Sequence, residues 1–590
     1  MELRPAIFVL GPSTRELGNR IASHLGGTVI ETDDLRSRLQ GAFREGRPII
    51  GLCASGILIR LLAPLLADKS AEPPVIALAE DGSVAVPLLG GHRGANDLAR
   101  RVADFTRGTA AITTASDLRF GVSLDDPEGY VLSNPEHLKS FLAKLIAGEK
   151  IRLKGVAPWA SALPQATDAR LSLVATEYAA PGNECTLVYH PQTLALGVGC
   201  ERNAPPHELL GTVTEALKAQ GLARQAIACI ASIDLKADEP AVLELAKHLG
   251  VPLRFFSSLE LNEETPRLRN PSETVLREVG CPGVAEAAAL RAAGSDSELI
   301  VEKTTRGRTT CAIARTCRPI EAGSVGRPRG SLSVVGVGPG STSWRSPAAE
   351  AALGRATDWV GYGLYLDLIA DLHSRQCEHR FGLGEEELRA SHALKLAGEG
   401  RDVALVCSGD AGIYAMAALV FELLDPCSGA ALADASRRIA VEVIPGISAF
   451  QAAAARAGAV IGHDFCAISL SDLLTPWDII EQRLQAAAQG DFVVALYNPR
   501  SMKRTDHLER AMAVLKRYRP SQTPVVVASN LGRSEEKLRV SELGRFDPSD
   551  VDMLTIVMVG SASSRIFIRG DGSKIAYTPR GYSAKRISNP

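Results

Sequence analysis

A short, mostly apolar run, Leu332–Val335, leads straight into the loop Gly336-Val337-Gly338-Pro339-Gly340, and the chain repeats that design. Val403–Val406 opens into Ser408-Gly-Asp-Ala-Gly-Ile-Tyr414, Val441–Ile444 into Pro445-Gly-Ile-Ser-Ala449, and Phe492–Leu496 into Tyr497-Asn498-Pro499; Met553–Val559 ends at Gly560. Apolar runs this short, separated by helical segments, predict strands of a largely parallel sheet. Glycine and small polar residues after a strand let a ligand approach the backbone, and open α/β sheets bind ligands where such ends converge. By itself the Gly336–Gly340 loop fits a tight strand-to-helix turn equally well. It lacks the G-x-G-x-x-G spacing and the acidic residue of a dinucleotide fingerprint, so a nicotinamide cofactor is not expected.

The stretch PIEAGSVGRPRG has no apolar periodicity and reads as an exposed linker over residues 319–330. Upstream, the pattern predicts strands at Ala6–Leu10, Pro48–Cys53, Val75–Leu78, Val84–Leu88 and Ala110–Thr113. Helices are expected over Arg15–Leu25 (capped near Ser13), Gly56–Leu66 and Asn96–Thr106. Residues 126–193, interrupted by Gly and Pro, are set apart as a small middle domain between 1–125 and a second α/β unit over 194–318. In that unit, strands are expected at Ala195–Val198, Ile227–Ile233 and Leu253–Phe256, and near Glu298–Lys303 and Thr310–Ala314. Helices are expected at Pro206–Gln220, Pro240–Leu249 and Val284–Ala293. The fold class is multidomain α/β, ending in a domain over 331–590.

Lysine plus arginine number 65 against 67 acidic residues, a net charge of −2, which disfavours a nucleic-acid partner. The longest apolar stretch, Ile49–Ile59, stops at Arg60, short of the roughly 18 residues a membrane helix needs. Met1–Leu10 has no cleavable-signal pattern, so no membrane and a cytoplasmic location are expected. The 11 cysteines contain no C-x-x-C pair, which argues against a zinc ribbon, an Fe–S set or a disulfide framework; no metal is expected.

The strings HDFCAISLSDLLTPW (His463–Trp477), LYNPRS (Leu496–Ser501) and TPRGY (Thr578–Tyr582) add to the strand-end loops. Together, from Ser331 to Ser583, they resemble the tetrapyrrole methyltransferase family, S-adenosylmethionine (SAM)-dependent enzymes of corrin and sirohaem biosynthesis, in its precorrin-3B C(17)-methyltransferase branch. The resemblance implies two α/β subdomains, about 331–444 and 445–590, with SAM in the cleft between them. It implies cofactor contacts from Gly336, Gly338, Pro339, Gly340, Ser408, Gly409, Asp410, Ile413, Ser448, Ala449, Tyr497, Asn498, Leu531 and Thr555. Asp410 would suit the cationic groups of SAM, and a cap of the following helix is the other reading. The implied reaction is methylation at C-17 with ring contraction, in which C-20 leaves the ring as part of an acetyl group. Contraction needs a proton moved, for which Tyr362, His463, Asp464 and Asp472 are candidates. Precorrin carboxylates call for cations, and Arg500, Lys503 and Arg504 follow a strand end. A homodimer through this domain is also implied.

The first half carries GLCASGILIRLLAPLLADK (Gly51–Lys69), LLGGHRGANDLA (Leu88–Ala99), AITTASD (Ala111–Asp117), ALGVGCERN (Ala195–Asn203), SIDLKADEPAVLELA (Ser232–Ala246) and VAEAAAL (Val284–Leu290). These resemble the cobalt-precorrin-5A hydrolase family over roughly residues 1–318. The resemblance implies opening of a ring lactone with release of acetaldehyde. Such a reaction needs a base for water and a donor for the carbonyl oxygen. His92 is the first candidate, followed by Asn96, Asp97 and Lys236, and no Ser–His–Asp triad is recognisable. Gly91 stands where the family usually has Ser. The alternative is a non-catalytic corrinoid-binding module, with only the methyltransferase active.

Overall fold

The computed structural model describes residues 4–32, 34–66, 72–113, 119–373, 375–501, 505–549 and 551–582. Lys503, Arg504, part of the Ala111–Asp117 string and the side chain of His92 lie outside the described residues. The chain divides into two compact units, Met1–Arg329 and Gly330–Pro590. Among the described residues, no helix is long and apolar enough to cross a membrane.

In the first unit, strands β1 (Ala6–Val9), β2 (Thr28–Ile30), β3 (Ile49–Leu52), β4 (Val75–Leu78), β5 (Val84–Leu89) and β6 (Thr109–Ala110) form one sheet, ordered β2-β1-β3-β4-β5-β6. The β1–β4 pairings are parallel, whereas β4 and β5 are antiparallel neighbours. The first helix, Pro12–Leu25, starts three residues before the expected Arg15, with Gly11 at its N-cap position. Pro12 explains the shift: its fixed φ and missing N–H suit the first helical turn.

Residues between this sheet and the next α/β unit form a second sheet of β7 (Tyr130–Leu132), β8 (Ile151–Lys154), β9 (Leu171–Ala175) and β10 (Thr186–Pro191). Its core holds the fully buried Phe141 and Tyr189. The third sheet contains β11 (Leu194–Cys200), β12 (Ile227–Ile233), β13 (Leu253–Phe256), β14 (Glu298–Arg306) and β15 (Thr309–Arg315), in the order β13-β12-β11-β15-β14. The alanine-rich helix Val284–Ala293 lies so close to β11 that a Cβ on Gly197 would sit 1.9 Å from the Ala285 carbonyl oxygen.

The second unit opens with a parallel sheet, β18-β17-β19-β16-β20, made of β16 (Ser331–Gly336), β17 (Asp358–Tyr362), β18 (Cys377–Phe381), β19 (Asp402–Cys407) and β20 (Ala440–Ile444). A three-stranded sheet combines β21 (Gly458–Ala459), β27 (Arg565–Ile568) and β28 (Lys574–Tyr577). The remaining sheet, β22-β23-β26-β24-β25, comprises β22 (Phe465–Ser469), β23 (Val493–Tyr497), β24 (Pro524–Ser529), β25 (Lys537–Glu542) and β26 (Thr555–Val559).

One strand departs from the expected repeat. β26 runs antiparallel to β23, pairing Val494 with Val559 and Leu496 with Val557. Its carboxyl end at Gly560 therefore lies at the edge opposite Tyr497, and Thr555, at its amino end, takes the place beside the β23 loop. A buried run covered on both faces carries no mark of strand direction in its hydrophobicity.

Candidate active site

β16 lies between β19 and β20, so three of the glycine-bearing loops leave one edge side by side. The Gly338 amide donates to the Gly409 carbonyl at 3.1 Å and the Gly409 amide returns a bond to the Gly338 carbonyl at 2.8 Å. A Cβ on Gly446 would sit 2.2 Å from the Gly409 oxygen and 2.6 Å from the Gly336 oxygen. These loops stack backbone on backbone, which is the physical reason for glycine at those positions.

Asp410 fastens the stack. Its Oδ1 accepts from the Gly412 amide at 2.8 Å and its Oδ2 from the Gly446 amide at 3.0 Å. The next helix starts at Met416 with Ala415 at its N-cap, so the helix-cap reading of Asp410 is overturned. Ser408 is half-buried in the same loop. Ser448 precedes the helix Ala449–Ala457, and its amide and hydroxyl both donate to Gln451 Oε1 at 3.0 Å.

The other sheet supplies the facing wall. The Tyr497 hydroxyl, at the end of β23, is buried and makes no well-formed hydrogen bond among the described residues, although it lies beside Ser448 and the Phe450 amide. Burial pushes its pKa up. Its ring is 5.1 Å from that of Tyr414, whose hydroxyl donates to the Ala467 carbonyl on β22 at 2.9 Å. Tyr414 and Asn498 both hold φ of 50°, a left-handed conformation uncommon outside glycine and less strained for Asn than for Tyr. Ile413, Ala449 and Tyr497 pack on one apolar cluster that includes Leu531. Arg533 Nε donates to the Pro339 carbonyl at 3.3 Å, and a Cβ on Gly340 would lie 2.9 Å from the Leu531 oxygen.

Two expected cofactor residues have their polar atoms engaged within the protein. Asn498 Nδ2 donates to Ser469 Oγ at 3.0 Å, and Thr555 Oγ1 lies 2.6 Å from both Ser529 Oγ and Asp552 Oδ1.

The proton-transfer candidates are scattered. Tyr362 ends β17, with its ring 5.2 Å from Tyr365. His463 and Asp464 pair with each other at 3.1 Å on the exposed turn before β22. Because β22 runs parallel to β23, with Ser469 opposite Tyr497, that turn lies beyond the other end of a strand about 13 Å long. Asp472 leaves the near end, and its Oδ2 is 3.6 Å from His507 Nε2. The largely buried His507 ring places Nδ1 3.1 Å from the Leu470 carbonyl and lies 4.7 Å from Trp477. His507 carried no sequence signal beyond its position three residues after Arg504. Between Asp472 and Trp477, Leu473 and Leu474 are 82% and 98% exposed. Arg500 Nη1 donates to the Pro548 carbonyl at 3.2 Å.

In the first unit the backbone of His92 lies in the single turn Gly91–Arg93, ahead of the helix Ala95–Thr106. Asn96 on that helix is buried, whereas Asp97 is exposed and pairs with Arg100 at 2.6 Å. Lys236 lies in the turn that follows β12 of the third sheet, 3.5 Å from Glu239. Glu239 is fully buried and accepts from the Asn203 amide at 2.7 Å and Arg202 Nη1 at 3.2 Å. Glu239 within the string SIDLKADEPAVLELA was not singled out by sequence reasoning.

Glycine-walled strand ends facing a tyrosine-lined second sheet define an α/β small-molecule enzyme. Residues 331–547 match the family of tetrapyrrole (corrin/porphyrin) methylases. Residues 37–117 and 194–314 match the cobalamin synthesis G N-terminal and C-terminus families. A probable cobalt-factor III C(17)-methyltransferase of Salmonella typhimurium is 43% identical over 254 residues, which cover 43% of this chain and 99% of the relative. A precorrin-3B C(17)-methyltransferase of Sinorhizobium sp is 41% identical, covering 43% of this chain and 98% of the relative. A cobalt-factor III methyltransferase of Priestia megaterium is 40% identical over 44% of this chain, but the match spans only 47% of that relative. The chain belongs to the tetrapyrrole methylase family, with cobalamin synthesis G domains ahead of the methylase domain.

Proposed function

We propose that this protein is a two-activity enzyme of cobalamin biosynthesis, working in the cytoplasm. Its second unit methylates C-17 of a precorrin-3-type tetrapyrrole and promotes ring contraction, as a homodimer through that unit. Its first unit opens a lactone of the cobalt-precorrin-5A type and releases acetaldehyde. The observation that carries the first assignment is the 43% identity to a C(17)-methyltransferase across almost that protein's full length. Two matched hydrolase-family segments, one on each side of the middle sheet, support the second.

The chain's own geometry supports SAM as the cofactor of the second unit. The Gly336, Gly409 and Gly446 loops pack backbone on backbone at one sheet edge, and the buried Tyr497 hydroxyl, with no well-formed hydrogen bond among the described residues, stands by Ser448. The Gly336–Gly340, Ser408–Ile413 and Ser448–Ala449 segments would hold the cofactor, with Tyr497 and Leu531 completing the wall. Bound there, SAM supplies an electrophilic methyl group. The protein's share is then to hold the accepting carbon in line and exclude water. The exposed Leu473–Leu474 tip suits the apolar faces of a macrocycle. Asp472, backed by His507, is the group placed to move a proton during contraction, and Arg500 is the described cation for a substrate carboxylate.

The test is mass spectrometry of products made by the full chain from SAM and a precorrin-3-type substrate, with and without cobalt. One added methyl per macrocycle is expected in at least one form. No methyl transfer to either would overturn the assignment.

A further inference from the structure

Away from these loops, the edge of the parallel sheet carries a second group of chemically capable side chains. Cys377 and His379 alternate on β18 and so share one face. Asp358, the first residue of β17, pairs directly with Cys377 across the ladder. Ligand-capable atoms of Asp358, Cys377 and His379 all lie within 4.8 Å of one another. His379 Nε2 is 3.0 Å from Asp358 Oδ1, and His379 Nδ1 is 2.9 Å from Nε2 of His392 on the helix Glu386–Gly398. Asp358 is 2% exposed, whereas Cys377 is open to solvent. An ion can enter from outside and meet a buried carboxylate.

We infer that Asp358, Cys377 and His379 form a binding site for one borderline-soft divalent metal ion of the zinc class, with His392 as the outer partner of His379. Thiolate, imidazole and carboxylate together suit zinc or cobalt(II), whereas calcium and magnesium prefer all-oxygen sets. The proton balance is explicit. With both rings neutral, the Asp358 carboxylate calls for the Nε2–H tautomer of His379, which then donates to Asp358 and accepts at Nδ1 from His392. On metal binding, Nε2 carries no proton: His379 becomes the Nδ1–H tautomer and donates to His392 Nε2, whose own proton resides on Nδ1. The Cys377 thiol releases its proton to solvent, and no electron moves. An imidazole whose second nitrogen is held by a neighbour is the usual state of a metal-bound histidine. Arg401 Nη1, 3.0 Å from Asp358 Oδ1, and Thr357 Oγ1, 2.7 Å from Oδ2, hold the carboxylate in place. The Arg401 charge opposes the incoming cation, so the site is weaker than an all-thiolate one.

The experiment is a cobalt(II) titration of the full chain, stripped with chelator and kept reduced, followed by absorbance. Wild type is expected to gain a saturable thiolate-to-cobalt charge-transfer band at one ion per chain, bleached by added zinc. Cys377→Ser should lose that band, and His379→Gln should weaken binding at least about tenfold. His392→Gln should weaken it about 10–100-fold while keeping the band. A band of equal size in Cys377→Ser, unchanged affinity in His379→Gln, or no band in wild type would overturn the site.

Discussion

Asp410 Oδ2 accepts a hydrogen bond from the amide of Gly446 at 3.0 Å, joining the loop after β19 to the loop after β20. Its other oxygen holds Gly412, so one carboxylate shapes both loops. Asp410→Ala should lower thermal stability and also weaken binding of SAM or its demethylated product by about 1–3 kcal/mol. Calorimetry and thermal melts on the same samples check both effects. Full affinity in a destabilised variant would confine Asp410 to an architectural role.

Tyr497 should behave in the opposite way. Among the described residues its buried hydroxyl makes no well-formed hydrogen bond, and an unsatisfied buried polar group costs about 1–3 kcal/mol. Tyr497→Phe should therefore melt at or above the wild-type temperature. If the hydroxyl meets bound cofactor, affinity should drop about tenfold. A lower melting temperature with unchanged affinity would contradict both halves.

Methylation and contraction are expected to separate at Asp472. Asp472→Asn leaves a side chain near His507 but removes the proton acceptor, so contraction should slow about 10²-fold or more while methyl incorporation continues. Macrocycle absorbance, followed beside radiolabelled methyl, reports the two steps independently. His463→Ala, at the other end of β22, should leave both signals intact.

Gly91 offers a gain-of-function test. It holds no left-handed φ, and a Cβ there would meet only the Asn96 side chain at 3.9 Å. Gly91→Ser should fold as well as wild type and place the hydroxyl usual in the hydrolase family beside His92. Acetaldehyde trapped from a lactone-bearing substrate should rise in the variant. His92→Ala should reduce release about 10²–10⁴-fold with corrinoid binding retained.

Acid should weaken the first unit through His190. Its ring is 1% exposed, Nδ1 sits 2.7 Å from the Thr176 carbonyl, and burial lowers its pKa although Glu177 lies nearby. The folded state then binds fewer protons than the unfolded chain near the ordinary histidine pKa, so stability rises with pH. This contribution is complete above about pH 6.5 and is lost as pH falls through the lower folded value. Melting curves from about pH 7.5 to 5.5 should show the loss, and His190→Gln should flatten that part of the profile.

Local pattern alone determined a good part of this molecule. Ile227–Ile233, Leu253–Phe256, Pro240–Leu249 and Val284–Ala293 begin and end where apolar periodicity and Gly or Pro punctuation place them. The glycine loops were legible for the same reason, since close backbone approach excludes a side chain. The middle sheet was not, because Gly, Pro and mixed polarity interrupt residues 126–193 and mask its strands. Tertiary structure decided the direction of β26, the bond from Asp410 to Gly446 and the distance of His463 from Tyr497. It also decided that Asp358, Cys377, His379 and His392 meet. Each of these depends on strand order and register, which pair residues far apart in the chain, whereas hydrophobic periodicity records only which face of its own element a residue occupies.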